Sequence, residues 1–201
     1  MRHSVVDAIR RALMQGRFQP GEALSDVALA AEMGISRGPV REALLMLAEE
    51  GLVVHLQNRG FSVLKFTKQD AKEVQEVRMP LEVLALELAC GRVKYDDLRK
   101  LELLADGLCT GFEKGEIVEA TRCDLEFHQT VWELSGNSRL IAALRTLTAP
   151  YFAYGSAFRL GRPDLCTDLL RQQHDVYLEC LRGSPAHPAA ECVRFHIYQW
   201  E

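Results

Sequence analysis

GISRGPVREALLMLAEEGLV, residues 34–53, puts two kinds of chemistry on one helix. Val40, Ala43, Leu44 and Leu47 recur at helical spacing and predict a buried stripe. Arg37 and Arg41 stand one turn apart at the front end, with Gly38 and Pro39 between them. Ser36 is placed to cap the helix, which is predicted from Arg37 to about Glu50. Pro39 falls in the first turn, where its missing N–H would have no helical partner anyway. Gly51 stops the helix.

The flanking sequence builds a domain around this helix. The apolar positions Val5, Val6, Ile9, Leu13 and Met14 predict a first helix ended by Gly16. FQPGEAL, residues 18–24, reads as a turn. Ser25 caps a short second helix from Asp26 to Glu32, and Gly34 closes it. LVVHL and FSVLK are two strand-like runs joined by QNRG, residues 57–60, a hairpin turn. Three helices followed by a two-stranded hairpin is the winged helix-turn-helix order. In such motifs the N-terminal end of the second helix of the pair enters the DNA major groove. Arg37, Gly38 and Arg41 occupy that end, and Arg59 and Gly60 the wing tip. Arginine can read guanine bidentately or clamp phosphate, and the sequence leaves both roles open. Two arginines alone would read equally as a solvated helix end; the order of elements favours DNA.

After Lys65 strand signals vanish. Helices are predicted near 68–92, 96–114, 116–135, 138–160, 164–182 and 186–200, with Pro80 expected to kink the first or mark a junction. Thr67 and Asp70 offer a capping box. The expected fold is mainly α: a winged helix-turn-helix domain over residues 1–66, then an all-helical bundle over 67–201.

In the second domain Asp124 and His128 lie four apart and project from one inward face. His174 and His196 sit on the apolar faces of two further helices. Each histidine alone reads more readily as a hydrogen-bonded core residue. Together, one carboxylate and three imidazoles suit a borderline divalent ion: zinc, with nickel, manganese and iron as alternatives. Cys192, four residues before His196, is a rival ligand. Arg78 could hold a carboxylate bidentately or pair with Glu82. Asn137 reads as the N-cap of the helix from 138.

Composition narrows the setting. The chain has 201 residues, a net charge of −4 and 48 % hydrophobic residues. Any nucleic-acid footprint must therefore be local. No apolar run is long enough to span a membrane. The six cysteines form no CxxC pair and fit a reducing cytoplasm.

The run PGEALSDVALAAEMGISRGPVREALLMLAEEGLVVHLQNRGFSV resembles the GntR family of bacterial transcription regulators, through SRGPVREAL, the EGLV that follows and the RGF of the wing. The helical remainder resembles the ligand-binding domain of the FadR-type branch, through VRMPLE, the Asp124–His128 pair, SGN at 135–137, the lone histidine of QQHDVYLE and the final one of CVRFH. Val27 departs from relatives that carry an arginine there. The resemblance implies a homodimeric regulator on a palindromic double-stranded operator, not an enzyme. It also implies metal binding by Asp124, His128, His174 and His196, and a small carboxylate effector near Arg78. Repression is the expected sign. The rival readings are a metal-dependent enzyme acting on a small carboxylate, and a regulator whose metal is purely structural.

Overall fold

In the computed structural model the described residues are 2–56, 60–155, 166–184 and 186–197. They divide into two compact units: residues 1–68 with 149–155, and the remainder. Residues 149–155 belong with the first unit, where Ala153 joins the apolar core and the Tyr154 hydroxyl donates to the Leu52 carbonyl.

In the first unit α1 (Arg2–Met14), α2 (Asp26–Met33) and α3 (Arg37–Glu49) precede the wing strands β2 (Val53–Leu56) and β3 (Gly60–Val63). Gly34 adopts a left-handed conformation, φ 65°, and its N–H donates to the Ala30 and Ala31 carbonyls. That ends α2 sharply and lets α3 begin three residues later. The Ser25 hydroxyl accepts from the Ala28 N–H at 3.2 Å, as expected of a cap. Ser36 differs: its backbone takes the extended cap conformation, but its hydroxyl makes no capping bond. The stripe of α3 is fully buried at Val40, Ala43, Leu44 and Leu47, against Val6 and Ile9 of α1 and Phe61 and Val63 of the wing.

The sheet has one strand more than the predicted hairpin. β1 (Ala23–Leu24) pairs antiparallel with β3, giving the order β1-β3-β2. Two residues lie below the length at which alternation shows, so the stretch read as turn alone. The β2–β3 register sets His55 opposite Phe61, and the two rings stack at 4.6 Å.

The second unit holds α4 (Lys68–Cys90), α5 (Tyr95–Glu113), α6 (Ile117–Leu134), the start of α7 (Ser138–Pro150), α8 (Thr167–Leu181) and α9 (Ala189–Ile197). α7 ends in a π-helical turn, Tyr151–Gly155. The predicted extension to 160 and the predicted end at 200 lie partly outside the described residues. α4 runs through Pro80 as one helix, so the proline marks no junction. Asn137 Oδ1 accepts from the Arg139 and Leu140 N–H groups at 3.2 Å each, which is the cap role. α5 lies against α6 at Gly111, where a Cβ would come within 2.9 Å of the Ala120 backbone nitrogen. This close approach draws the inward face of α6 into the bundle.

Candidate metal centre and nucleic-acid interface

Asp124, His128, His174 and His196 come together from α6, α8 and α9, each offering a ligand atom within 4.8 Å of the others. All four are buried, the two central histidines completely. His128 Nε2 faces His196 Nε2 at 2.9 Å, and His174 Nε2 faces Asp124 Oδ1 at 3.0 Å. The α6 pair itself is closed, with His128 Nε2 3.8 Å from Asp124 Oδ1.

The outer nitrogens decide what these inner contacts mean. His174 Nδ1 lies 2.7 Å from the Leu170 carbonyl, which can only accept, so Nδ1 carries the hydrogen. In a neutral ring Nε2 then presents a lone pair toward the Asp124 carboxylate, which also has only lone pairs. His128 repeats the arrangement: Nδ1 lies 3.2 Å from Glu82 Oε2, leaving its Nε2 lone pair turned inward. Acceptors facing acceptors require a proton or a cation between them. A borderline divalent ion satisfies them all at once, and outer partners that fix each tautomer are the usual support of such a site.

Glu82 organises this support. Arg78 Nε donates to its Oε1 at 2.6 Å, and the Tyr177 hydroxyl donates to Oε2 at 2.9 Å. Glu82 is 1 % exposed and Arg78 2 %. Burial alone would push the Glu82 carboxyl up, but Arg78 and His128 outweigh it and hold it at about 2. It is therefore ionised. Burial pushes His128 below its usual value, against the pull of Glu82, and so favours the neutral ring. Phe127 closes one side, its ring edge-on to His174 at 4.7 Å.

The sequence points to Glu82 only as a partner for Arg78, and it points to no role for Tyr177. The available signal was an Arg–Glu pair four apart on an inward stripe, where charges occur only with a reason. The predicted pairing of Arg78 with Glu82 is present. Cys192 is not part of the cluster: its thiol donates to the Val176 carbonyl at 3.2 Å.

In the first unit Arg37 and Arg41 stand out from the front of α3 with side chains 63 % and 52 % exposed. Both lean on Asp26 of α2, at 3.2 and 3.6 Å. The Arg41 guanidinium also lies over the Phe61 ring, 5.6 Å from its centroid. A Cβ on Gly38 would meet nothing within 4 Å. Gly60 opens β3 at φ 82°; Arg59 lies outside the described residues.

Residues 2–63 match the family described as bacterial regulatory proteins, gntR family, and residues 73–199 match the FCD domain. The HTH-type transcriptional regulator YdhC of Bacillus subtilis (strain 168) is 32 % identical over 136 residues, covering 66 % of this chain and 59 % of that protein. The chain thus aligns with about three fifths of that relative's length. The HTH-type transcriptional repressor GlaR of Escherichia coli (strain K12) is 27 % identical over 200 residues, covering 94 % of this chain and 89 % of that protein. Among solved structures, E. coli McbR/YncC superposes with a TM-score of 0.76 at 24 % identity, covering 98 % of this chain and 93 % of that one, which supports the fold.

Proposed function

The chain belongs to the GntR family and carries an FCD domain in its second half, and from that premise we propose that it is a homodimeric repressor released from operator DNA by a small organic acid. The similar proteins are transcription regulators, not enzymes. On this reading Arg37, Gly38 and Arg41, with Arg59 and Gly60 at the wing, meet a palindromic operator. The exposed arginines at the N-terminal end of a helix supply local positive charge on a chain whose net charge is −4. Asp26 keeps both arginines on the same side of the domain before DNA arrives.

Asp124, His128, His174 and His196 hold a divalent ion, zinc first among the candidates, because three imidazoles and one carboxylate match its ligand preferences. Nickel, manganese and iron accept the same donors. The facing lone pairs of His174 and Asp124 carry this reading. Bound there, the ion supplies positive charge to which an effector's carboxylate can coordinate. Arg78 contributes a second positive group one turn from Glu82.

Two further features support the assignment of partner and setting. α4 presents Val74, Val77, Leu81, Leu84 and Leu88 at alternating steps of three and four, a seam suited to a second copy of the same helix. Val77 and Leu84 are 52 % and 42 % exposed. No helix among the described residues is long and apolar enough to cross a membrane, and a cytoplasmic regulator fits that.

The test is His174→Ala in protein purified without affinity metal. The variant should lose metal, and its thermal midpoint should stop rising when metal is added, since a ligand that binds only the native state stabilises it. Stoichiometric metal at unchanged affinity would overturn the site.

A further inference from the structure

Gln75, a buried polar side chain of the second unit, takes no part in the Asp124–histidine cluster. Gln75 lies on α4, three residues before Arg78 and seven before Glu82. Those intervals put all three side chains on one face of the helix. Gln75 is 8 % exposed, and both Nε2 and Oε1 are buried without a hydrogen-bond partner. Leaving an amide dry and unpaired opposes folding, so such groups in native proteins call for a partner that arrives. Other buried polar groups on this face are engaged: Arg78 bonds Glu82, and Glu82 bonds Tyr177 and His128.

We infer that Gln75 selects the effector by a neutral polar group, and that the effector is a hydroxy acid rather than a plain carboxylic acid. The inference rests on the reading of Asp124, His128, His174, His196 and Arg78 as the seat of the acid group. Gln75 sits one helical turn beyond Arg78, about 4.5 Å further along the axis. An acid held by Arg78 can therefore reach the amide with its remaining carbons. The orphaned pair is one donor and one acceptor. A hydroxyl both donates and accepts, so it satisfies Nε2 and Oε1 together. An ionised carboxylate offers no donor and would leave Oε1 unpaired. A methylene would leave both unpaired. A site built to pair with a hydroxyl discriminates against the analogue lacking it because its own buried groups are then stranded.

The probes are matched acids differing by one hydroxyl: malate against succinate, lactate against propionate, and citrate against tricarballylate. Each is titrated calorimetrically into the metal-loaded wild type, Gln75→Met and Gln75→Leu. In the wild type the hydroxy member of at least one pair should bind about tenfold tighter, the scale of one net hydrogen bond. In both variants that gap should close, with the affinity for the deoxy member held or improved. The metal-free variants should melt no lower than the wild type, because each replaces an unpaired amide by an apolar chain. Equal affinities within every pair in the wild type overturn the inference while leaving the acid site standing. So does a gap that survives in both variants. Failure of the metal-loaded wild type to bind any of the six acids overturns the acid-site reading and this inference with it.

Discussion

At the scale of single residues the Asp124–histidine cluster depends on Glu82 as much as on its own four members. Glu82→Gln keeps the shape and removes the charge. Arg78 then loses its bond to that carboxylate in a buried setting, and His128 loses the carboxylate that orients its ring. Metal affinity should fall roughly 10–100-fold, measured by competition against a calibrated chelator. Unchanged affinity would show that the His128 tautomer is fixed some other way. Acid should act in the same direction. Both Glu82 and His128 have folded-state values below their unfolded ones. Their contribution is complete above the unfolded values and is lost as pH falls through the folded ones. The thermal midpoint of the metal-free protein should therefore start to drop as pH falls below about 6.5, where unfolded histidine takes up protons. A second loss should follow between 4.5 and about 2 as Glu82 is forced to protonate. A midpoint flat from pH 7 to 5 would contradict the His128 assignment. The four residues of the cluster were legible because Asp124 and His128 share a helix face, the histidines sit on apolar stripes, and the family resemblance brings them together. The supporting Tyr177 was not, because its one hydroxyl is hidden in an otherwise apolar pattern, and the Leu170 carbonyl has no side-chain signature at all.

At the scale of elements, α3 was legible almost whole, since its stripe, Pro39 and Gly51 all point to one helix. What escaped were features decided by geometry more than by composition. β1 is too short to show a period. Ser36 has the right identity for a cap but leaves its hydroxyl unbonded to the helix. Pro80 has the wrong identity for a helix interior, and α4 passes through it regardless, its packing outweighing the lost hydrogen bond. The front of α3 offers a direct test. Gly38 has helical backbone and open space where a Cβ would stand. Gly38→Ala should leave the thermal midpoint unchanged or slightly raised, as alanine favours helix. If the glycine lets DNA approach the backbone, the same methyl should weaken operator binding, seen as a lower affinity in fluorescence anisotropy. Full operator affinity in this variant would place the duplex away from Gly38 and leave recognition to Arg37 and Arg41 alone.

At the scale of the molecule, a single α3 can address only one half-site. Two-fold symmetric readers place two such helices about 34–36 Å apart, one turn of DNA, and so bind a palindrome. The proposed seam on α4 would give that symmetry a physical basis within one unit. Its repeat was present in the sequence but overlaps the inward residues Gln75, Arg78 and Glu82 on the same helix, so the outward set emerges only once burial is known. Val77 and Leu84 are both exposed in the single chain, so changing them removes little of its own core. The double variant Val77→Asp with Leu84→Asp should therefore keep its metal affinity and its helical content. In the dimer those positions would place carboxylates in an apolar contact, where they are costly. Sedimentation should then show a monomer at concentrations where the wild type is a dimer. Operator binding should lose the gain that comes from linking two half-sites, on the order of 10²-fold or more on the palindrome. Affinity for an isolated half-site should hardly change, because Arg37 and Arg41 are untouched. A variant that still sediments as a dimer and still prefers the palindrome would move the interface to another face of the helical unit.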